Sequence, residues 1–375
     1  MDITYKEFLE KVKDKLSWVT DEVNFIYPYT TRQGKYENAK TIPYIWTCGF
    51  YGGILWYMYQ LTKDEKYLKL GKESASHLEK CLIDFVDIDH DVGFQFLFTN
   101  VADYNITGDE KSKIRALHAA TILSGRYNPK GQFIRAWNDN PYIDGDISKS
   151  GYVIIDCMMN IPLLYWASEV TGDPRYTQIA NLHADTVIKH FIREDGSSNH
   201  IVVFDPETGE VVDKPKGQGY AAGSAWTRGQ GWAVYGFAMA YRYTKNNEYL
   251  KTAKRVADYV ISQMNEEYMP IDFVQPKEPK YQDSSAAAII ACGLLEILRY
   301  TDNVGYKDAV DVLMNLMYKN CNFDRNEQSI LQNCSEMYYR EESRHVSLIY
   351  GDYYLLEALV RLNGGDGLFF GKQGE

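Results

Sequence analysis

The sequence of 375 residues predicts an all-α protein, an (α/α)6 barrel in which six inner helices are ringed by six outer ones. A short polar phrase recurs five times along the chain, and the segments between its copies carry the 3.6-residue apolar period of helices. Helices that are apolar all round alternate with amphipathic helices. Because a helix that is apolar on every side has to be buried, we expect the first kind inside the ring and the second kind outside.

The recurring phrase marks a helix boundary. It reads LTKDEKY, ITGDEKS, VTGDPRY, YTKNNEY and YTDNVGY, with threonines at Thr62, Thr107, Thr171, Thr244 and Thr301. A threonine followed by Gly, Asp or Asn breaks one helix and supplies a side-chain oxygen that caps the next. Each copy is therefore predicted to be the bend of a helical hairpin.

Twelve helices are predicted on this basis, which makes six pairs. They cover 4–25, 48–61, 64–82, 92–106, 109–124, 155–170, 174–192, 229–243, 247–265, 284–301, 306–320 and 347–363. The last inner helix, SLIYGDYYLLEALVRL, has no outer helix after it, and the first helix of the chain can take that place and close the ring. An open solenoid of hairpins is the alternative, since periodicity alone does not show closure.

Long irregular stretches are predicted between the pairs, at 26–47, 125–154, 193–228, 267–283 and 321–346. If each stretch leads into the N-terminus of an inner helix, all of them open on one face of the ring. Neither a Ser/Gly/Pro-rich linker nor a change of composition divides the chain, so we expect one domain over residues 1–375. Most of the candidate chemistry lies in or next to these stretches, which favours function over disorder.

Composition excludes several classes of function. There are 40 Lys+Arg against 51 Asp+Glu, a net charge of −11, and no basic stripe that would bind nucleic acid. The longest strictly apolar run, 286–295, is well short of the roughly 20 residues that a membrane-spanning helix needs. The first residues mix charged and apolar side chains, so we expect a cytoplasmic protein. Six cysteines without a CxxC pair are expected to be reduced and structural, and the oligomeric state is left open.

Asp156 is the strongest candidate for acid–base chemistry, because it is one carboxylate in the apolar context VIID–CMMN. Apolar surroundings should raise the pKa of this carboxyl, and a second carboxylate nearby, such as Asp91, should raise it further. A general acid that works near neutral pH needs such a pKa. The sequence leaves equally open that Asp156 only caps its helix.

Two further stretches carry candidate residues. Asp91 stands in an acidic run beside His90, where a solvated loop is the ordinary alternative, and neither His90 nor His200 has metal-ligand spacing. We therefore expect no metal and no cofactor. The stretch GQGYAAGSAWTRGQGWAVYG contains Arg228, whose planar guanidinium suits a carboxylate substrate, although its glycines also fit close helix packing. Aromatic residues in the loops suit the faces of sugar rings, and core filling is the alternative.

Six separated motifs resemble the unsaturated glucuronyl hydrolases, glycoside hydrolase family 88, over essentially the whole chain. They are PYIWTCGFYGG, HDVGFQF, GYVIIDCMMNIPLL, GQGYAAGSAWTRGQGWA, QDSSAAAI and SLIYGDYYLLEAL, in the order of the family. The resemblance implies an (α/α)6 barrel in the cytoplasm. It also implies an enzyme that hydrates the C4=C5 double bond of the unsaturated uronate left by polysaccharide lyases, and so releases the remaining sugar.

The resemblance further implies residue roles. Asp156 matches the aspartate that protonates C4 and then accepts a proton from the attacking water, and Asp91 matches the aspartate that binds sugar hydroxyls and supports the acid. The residues expected around the substrate are Trp46, His90, Trp137, His200, Gln218, Arg228, Trp232 and one of Tyr338 and Tyr339. The partner is an oligosaccharide that carries an unsaturated uronate.

Three other functions remain as alternatives at this point. An unsaturated rhamnogalacturonyl hydrolase would share the barrel and the hydration chemistry but act on pectin fragments. An ordinary inverting glycosidase would use Asp91 and Asp156 as base and acid on saturated glycosides. A helical-repeat sugar-binding protein would show no turnover of any sugar.

Overall fold

The structure is a computed structural model that describes residues 3–38, 45–85, 87–140, 142, 145 and 147–369. Parts of two predicted loops, 39–44 and the positions 141, 143–144 and 146, lie outside the described residues, as do both chain ends. Helical structure is present at each of the twelve predicted helices. The helices are α1 Tyr5–Val23, α2 Cys48–Thr62, α3 Glu65–His77, α4 Glu79–Asp84, α5 Val92–Phe96, α6 Ala102–Thr107, α7 Glu110–Gly125, α8 Pro162–Thr171, α9 Pro174–His190, α10 Thr227–Thr244, α11 Asn247–Gln263, α12 Ser284–Ile297, α13 Val304–Lys319 and α14 Ile349–Leu362.

The burial of the helices separates an inner ring from an outer one. In α10 every residue from Thr227 to Ala240 is buried, whereas α11, which follows it, buries only one face, centred on Ala253 and Val256. A π-helical turn over Leu97–Val101 joins α5 to α6, and this run is also buried on nearly all sides. The predicted alternation of buried and amphipathic helices is confirmed.

The inner ring is closed by contact between its last and first helices. The Tyr353 ring of α14 lies 5.5 Å from Phe50 and 5.7 Å from Tyr57 of α2, measured between ring centroids. The first helix of the chain, α1, packs against α14 and is its outer partner. The predicted (α/α)6 barrel is therefore confirmed, and the open solenoid is excluded.

The recurring phrase forms the hairpin bends. At Gly172 the backbone enters the left-handed region, with φ of 72°, and ends α8. The Thr171 hydroxyl donates to the carbonyl of Ala167 at 2.6 Å and accepts the N–H of Asp173 at 3.2 Å. The Asp173 carboxylate then caps α9 by accepting the N–H of Arg175 at 2.9 Å. The same arrangement is found at Thr62/Asp64, Thr107/Asp109 and Thr244/Asn246.

The loops that were predicted to be irregular hold three small antiparallel sheets. They consist of β1 Pro28–Arg32 with β2 Lys35–Asn38, β3 Tyr127–Asn128 with β4 Phe133–Ile134, and β5 Tyr152–Ile154 with β6 Ile201–Phe204 and β7 Val211–Asp213. The short β-branched runs YVI and IVVF have strand propensity, but a run of three or four residues forms a strand only where another segment pairs with it. The pairing of these two runs joins segments that are distant in the sequence.

The predicted helix 155–170 begins later than expected. Residues Ile155–Met159 form a 3₁₀ turn, and the α-helix starts at Pro162. Proline has no N–H to donate and its ring clashes with the carbonyl four residues earlier, so it favours the first turn of a helix over its interior. Asp156 is thereby held on a short turn that comes directly after β5.

The structure also tests the expectations for membrane-spanning helices and for the cysteines. Among the described residues, no helix is long and apolar enough to cross a membrane. All six cysteines are free thiols, and five of them are buried.

The bend at 171–174 tests the capping interaction. We expect Asp173→Ala to lower the free energy of unfolding by about 1 kcal/mol, because the N–H of Arg175 loses its acceptor. Asp173→Asn keeps a capping oxygen and is expected to unfold within about 0.5 kcal/mol of the native chain. Equilibrium unfolding in urea measures both variants. Equal losses in the two variants would show that the carboxylate charge, and not the cap, is what stabilises the bend.

Candidate active site

The long loops meet at a cavity of about 300 Å³ at the N-terminal ends of the inner helices. Trp46 lies just before α2, Asp91 just before α5, and Arg228 in the first turn of α10. This is the face of the ring on which the sequence placed the candidate residues. Those that line the cavity are Trp46, Asp91, Trp137, Asp156, His200, Gln218, Arg228 and Tyr339.

The pairing of two strands brings Asp156 and His200 together. Ile154 of β5 pairs with Ile201 of β6, and the N–H of Ile155 donates to the carbonyl of His200 at 3.0 Å. Asp156 follows Ile155 and His200 precedes Ile201, so this pairing brings the two side chains together at the cavity. Asp156 Oδ2 lies 3.5 Å from His200 Nε2.

The side chain of Asp156 is partly buried, 17% exposed, and lines the cavity, and its Oδ2 atom is buried. The 3₁₀ turn that holds it has no side-chain capping hydrogen bond, and Asp156 Oδ2 has no hydrogen-bond partner among the described residues. The helix-cap interpretation of Asp156 is therefore wrong. A buried carboxylate oxygen without a partner is uncommon, because its desolvation is not offset, and functional sites are where such groups occur.

The neighbouring loop fixes the tautomer of His200. Its Nδ1 accepts the backbone N–H of Gln218 at 2.9 Å, so in the neutral ring the proton is on Nε2, which faces Asp156. This contact requires Gly217, whose φ is +61° and at which a Cβ would lie 1.9 Å from His200 Nδ1. Only glycine gives the loop both the left-handed conformation and the close approach.

Asp91 is the second carboxylate of the cavity. Its N–H donates to the carboxylate of Asp89 at 2.9 Å, and the N–H of His90 donates to the carbonyl of Ala136 at 3.2 Å, so the acidic run is an ordered turn. Burial, and then the charge of Asp156, raise the pKa of Asp91 to about 7. The cavity therefore contains a carboxyl group that keeps its proton up to nearly neutral pH.

One cluster has the residue types of a cation site. Asp89, His90 and Asp91 place one ligand atom each within 4.8 Å of one another. However, His90 Nδ1 faces the side-chain amide N–H of Asn160 at 3.4 Å, so Nδ1 is the acceptor and Nε2 carries the proton. The cluster offers a cation only carboxylate oxygens, and a metal-free site remains the prediction.

The guanidinium of Arg228 is largely engaged within the protein. It is buried, donates to Asp283 Oδ2 at 2.6 Å and to the carbonyls of Ser335 and Glu336, and lies over the Trp226 ring. Its remaining contact is with Gln218 Oε1 at 3.4 Å. Arg228 therefore joins α10 to α12 and to the loop 321–346, and it reaches the cavity beside Gln218.

The sequence of this chain matches a known protein family. The model of the family described as Glycosyl Hydrolase Family 88 matches residues 19–363. The chain belongs to glycosyl hydrolase family 88. It is an enzyme of the glycoside hydrolase class, as the resemblance in the sequence implied.

Similar proteins support this membership, and the similarity extends over most of each chain. The chain is 38% identical to the unsaturated glucuronyl hydrolase of Bacillus sp. (strain GL1), over 85% of this chain and 86% of that protein. It is 33% identical to an unsaturated chondroitin disaccharide hydrolase of Streptococcus pneumoniae, over 84% and 81%. The crystal structure of the glycosaminoglycan-degrading unsaturated glucuronyl hydrolase of Bacillus sp. GL1 superposes with a TM-score of 0.90, at 33% identity and with 99% and 100% coverage.

Three residues that the resemblance assigned to the site do not line the cavity of this family 88 member. Trp232 is 1% exposed and lies 5.3 Å from Phe94 and 5.6 Å from Tyr354 between ring centroids, so it belongs to the aromatic core. His90 is fully buried behind Asp91. Of the two adjacent tyrosines, Tyr339 lines the cavity, whereas Tyr338 packs against other aromatic rings.

Sequence reasoning missed one polar pair in the cavity. The hydroxyl of Tyr29, on β1, donates to Glu336 Oε1, and both residues line the cavity with Tyr350 of α14. Glu336 stands two residues before Tyr338, one of the two tyrosines that the resemblance did assign to the site. The only available signal was its position in that loop, since an isolated Glu among 51 acidic residues carries little information.

The buried ion pair predicts a stability effect at Arg228. We expect Arg228→Ala to lower the free energy of unfolding by about 3–5 kcal/mol, because it leaves the fully buried Asp283 carboxylate without its cation. Arg340→Ala, which removes an exposed arginine from the same loop region, should change it by less than about 1 kcal/mol. Urea unfolding measures both. A native-like stability of Arg228→Ala would contradict a structural role for this arginine.

Proposed function

We propose that this family 88 enzyme removes the unsaturated glucuronate from the non-reducing end of lyase-generated glycosaminoglycan oligosaccharides by hydrating its C4=C5 double bond. The observation that carries the proposal is the partly buried Asp156, which lines the cavity; its buried Oδ2 atom has no hydrogen bond among the described residues and lies 3.5 Å from His200 Nε2. A cavity, unlike an open groove, admits the end of a chain.

In the first step the protonated carboxyl of Asp156 transfers its proton to C4. The pair of electrons of the double bond forms the new C4–H bond, and positive charge develops on C5 and the ring oxygen. A carboxylate next to this centre stabilises the charge, most strongly in a cavity with little water. Both Asp156, once it has lost its proton, and Asp91 face the same cavity.

In the second step water adds to C5 and gives its proton to Asp156. The carboxyl is restored, so one group acts as acid and then as base, and the separation of two carboxylates that governs ordinary glycosidases does not apply. The product of the addition is a hemiketal at C5. Its ring opens to a ketone at C5 and an aldehyde at C1, and the remaining sugar leaves with the former glycosidic oxygen.

The surrounding side chains suit a uronate. Because Gln218 Oε1 accepts from Arg228, the amide Nε2 of Gln218 remains as a donor toward the substrate carboxylate, with the charge of Arg228 behind it. Trp46 and Trp137 present aromatic faces on the cavity wall, and such faces stack on sugar rings. The Tyr29–Glu336 pair adds oxygen acceptors for sugar hydroxyls.

The substrate class is supported by the relatives. Proteins named for unsaturated glucuronate or unsaturated chondroitin disaccharides match four-fifths or more of this chain. We also propose that residues 1–375 act as one catalytic domain in the cytoplasm, without a nucleic-acid or membrane partner. Six free cysteines suit a reducing compartment, and a net charge of −11 disfavours binding to nucleic acid.

Loss of the substrate's ultraviolet absorbance tests the reaction directly, because hydration destroys the conjugated C4=C5 bond. We expect the native enzyme to remove the absorbance of unsaturated chondroitin and hyaluronan disaccharides, and Asp156→Asn to lower kcat about a thousandfold or more with little change in stability. Asp173→Asn makes the same chemical change at an exposed bend and should keep full activity.

The alternative functions are separated when the pectin-derived unsaturated disaccharide and saturated glycosides are tested beside these two substrates. Turnover of only the pectin-derived disaccharide would indicate the rhamnogalacturonyl enzyme, and cleavage of saturated glycosides would indicate an ordinary inverting glycosidase. No turnover of any sugar, with Asp156→Asn indistinguishable from the native chain in binding, would indicate a binding protein.

The raised pKa of Asp91 predicts how the reaction rate depends on pH. Since the pKa of Asp91 is raised to about 7, Asp91 holds a proton below that pH and loses it above. We expect kcat to fall as the pH rises through about 7, because Asp91 then has no proton to pass on to Asp156, the acid at C4. Initial rates between pH 5 and pH 9, with stability checked at each pH, measure this. A rate that stays constant up to pH 9 would contradict the assignment.

A further inference from the structure

Asn160 lies beside Asp91 in the wall of the cavity, and neither the sequence motifs nor the relatives assign it a role. It follows the 3₁₀ turn that carries Asp156, and it is fully buried. The N–H of Phe94 donates to Asn160 Oδ1 at 2.8 Å, which fixes which way the amide points. The amide nitrogen Nδ2 then donates to Asp91 Oδ1 at 3.0 Å.

The same amide orients the imidazole next to Asp91. Its Nδ2 faces His90 Nδ1 at 3.4 Å, which leaves the ring proton of His90 on Nε2, 3.5 Å from Asp91 Oδ1. Burial lowers the pKa of His90 to about 4, so this ring is neutral at the pH of the reaction. One carboxylate oxygen of Asp91 therefore accepts the amide N–H of Asn160 and lies near the ring N–H of His90, which forms no hydrogen bond among the described residues.

Resting on the proposed function, we propose that Asn160 is a positioning residue that holds the side chain of Asp91 in place and weakens its hold on a proton, so that Asp91 passes this proton more readily to Asp156, the group that delivers it to C4. An amide that donates to a carboxylate favours its charged form. Without this bond Asp91 would hold the proton more strongly, and Asp91 is not the group assigned to protonate C4.

The other described groups around Asp91 do not weaken its hold on a proton in this way. When they are charged, Asp156 and Asp89 favour a proton on Asp91, and the thiol of Cys157 is neutral because burial raises its pKa. Arg126, at the end of α7, favours the carboxylate through its charge, but it donates to Ile88, Arg135, Ala136 and Asn138 and not to Asp91. Among the described residues, Asn160 donates a side-chain hydrogen bond to Asp91 Oδ1, whereas His90 Nε2 lies 3.5 Å from the same oxygen without forming one.

The position of Asn160 depends on a glycine that faces it. A Cβ at Gly93 would lie 2.5 Å from both Asn160 Cα and Oδ1. Such a contact is too close to persist, so a side chain at position 93 would displace Asn160 from Asp91. Gly93→Ala therefore disturbs the hydrogen bond without altering the amide.

The experiment compares Asn160→Ala, Asn160→Asp and Gly93→Ala with the native enzyme on the unsaturated chondroitin disaccharide. We expect kcat to fall about tenfold or more, KM to change less than about twofold, and the fall in rate on the alkaline side to move to higher pH by about half a unit or more, because Asp91 holds the proton more tightly. Asn100→Ala removes another buried amide, one that donates to the carbonyl of Ala75, and it is expected to leave the pH profile unchanged.

A double-variant cycle separates positioning from general damage. In an Asp91→Asn background, Asn160→Ala should lower kcat no further than about twofold, because the group that it acts on is gone. Losses that multiply in the double variant, or a native pH profile in folded Asn160→Ala, would overturn the proposal.

A titration without substrate keeps this test distinct from the test of the proposed function. Carbon NMR of the side-chain carboxyl of Asp91, identified by its loss in Asp91→Asn, should show a higher pKa in Asn160→Ala than in the native chain. An unchanged pKa would overturn the inference. A native enzyme that leaves the C4=C5 absorbance intact would instead overturn the function and leave this titration valid.

Discussion

The contact between α14 and α2 is the constraint on which the rest of the structure depends. It turns a row of helical hairpins into a closed ring, with Tyr353 packed against Phe50 and Tyr57 at the closing point. Closure fixes the direction of every inner helix, so that the loops before their N-termini share one face. A cavity with walls from all parts of the chain results. In an open array the residues near 46 and those near 350 would lie at opposite ends.

The chemistry of the cavity comes from carboxylates held in a buried setting with few but specific partners. Asp156 and Asp91 each lie 3.5 Å from the Nε2 of a histidine, and in both rings Nδ1 accepts a hydrogen bond that keeps the proton on Nε2. Burial raises the pKa of Asp91 to about 7, and the hydrogen bond from Asn160 acts in the opposite direction. Arg228, in contrast, has its charge matched by Asp283 and contributes mainly to the shape of the cavity.

Several site residues could be predicted and others could not, for identifiable reasons. Asp156 stood out because a single carboxylate in an apolar run is unusual, and the cavity does contain it. Trp232 was assigned to the substrate by its motif, yet it fills the aromatic core, because one helix carries both cavity-facing and core-facing residues. Arg228 was predicted to bind a substrate carboxylate, and the sequence did not show its partners within the protein, because Asp283 and the carbonyls of Ser335 and Glu336 lie more than fifty residues away along the chain.

The sequence by itself determined the helices, their alternation between buried and amphipathic, and the bends between them. These features depend on interactions within a few residues, such as the threonine hydroxyl and the Asp or Asn cap of each bend. Only the tertiary structure decided the strand pairing that brings Asp156 to His200 and the orientation of the Asn160 amide toward Asp91. Each of these requires a partner that is distant in the chain or a geometry set by packing, and a local pattern of residue types carries no information about either.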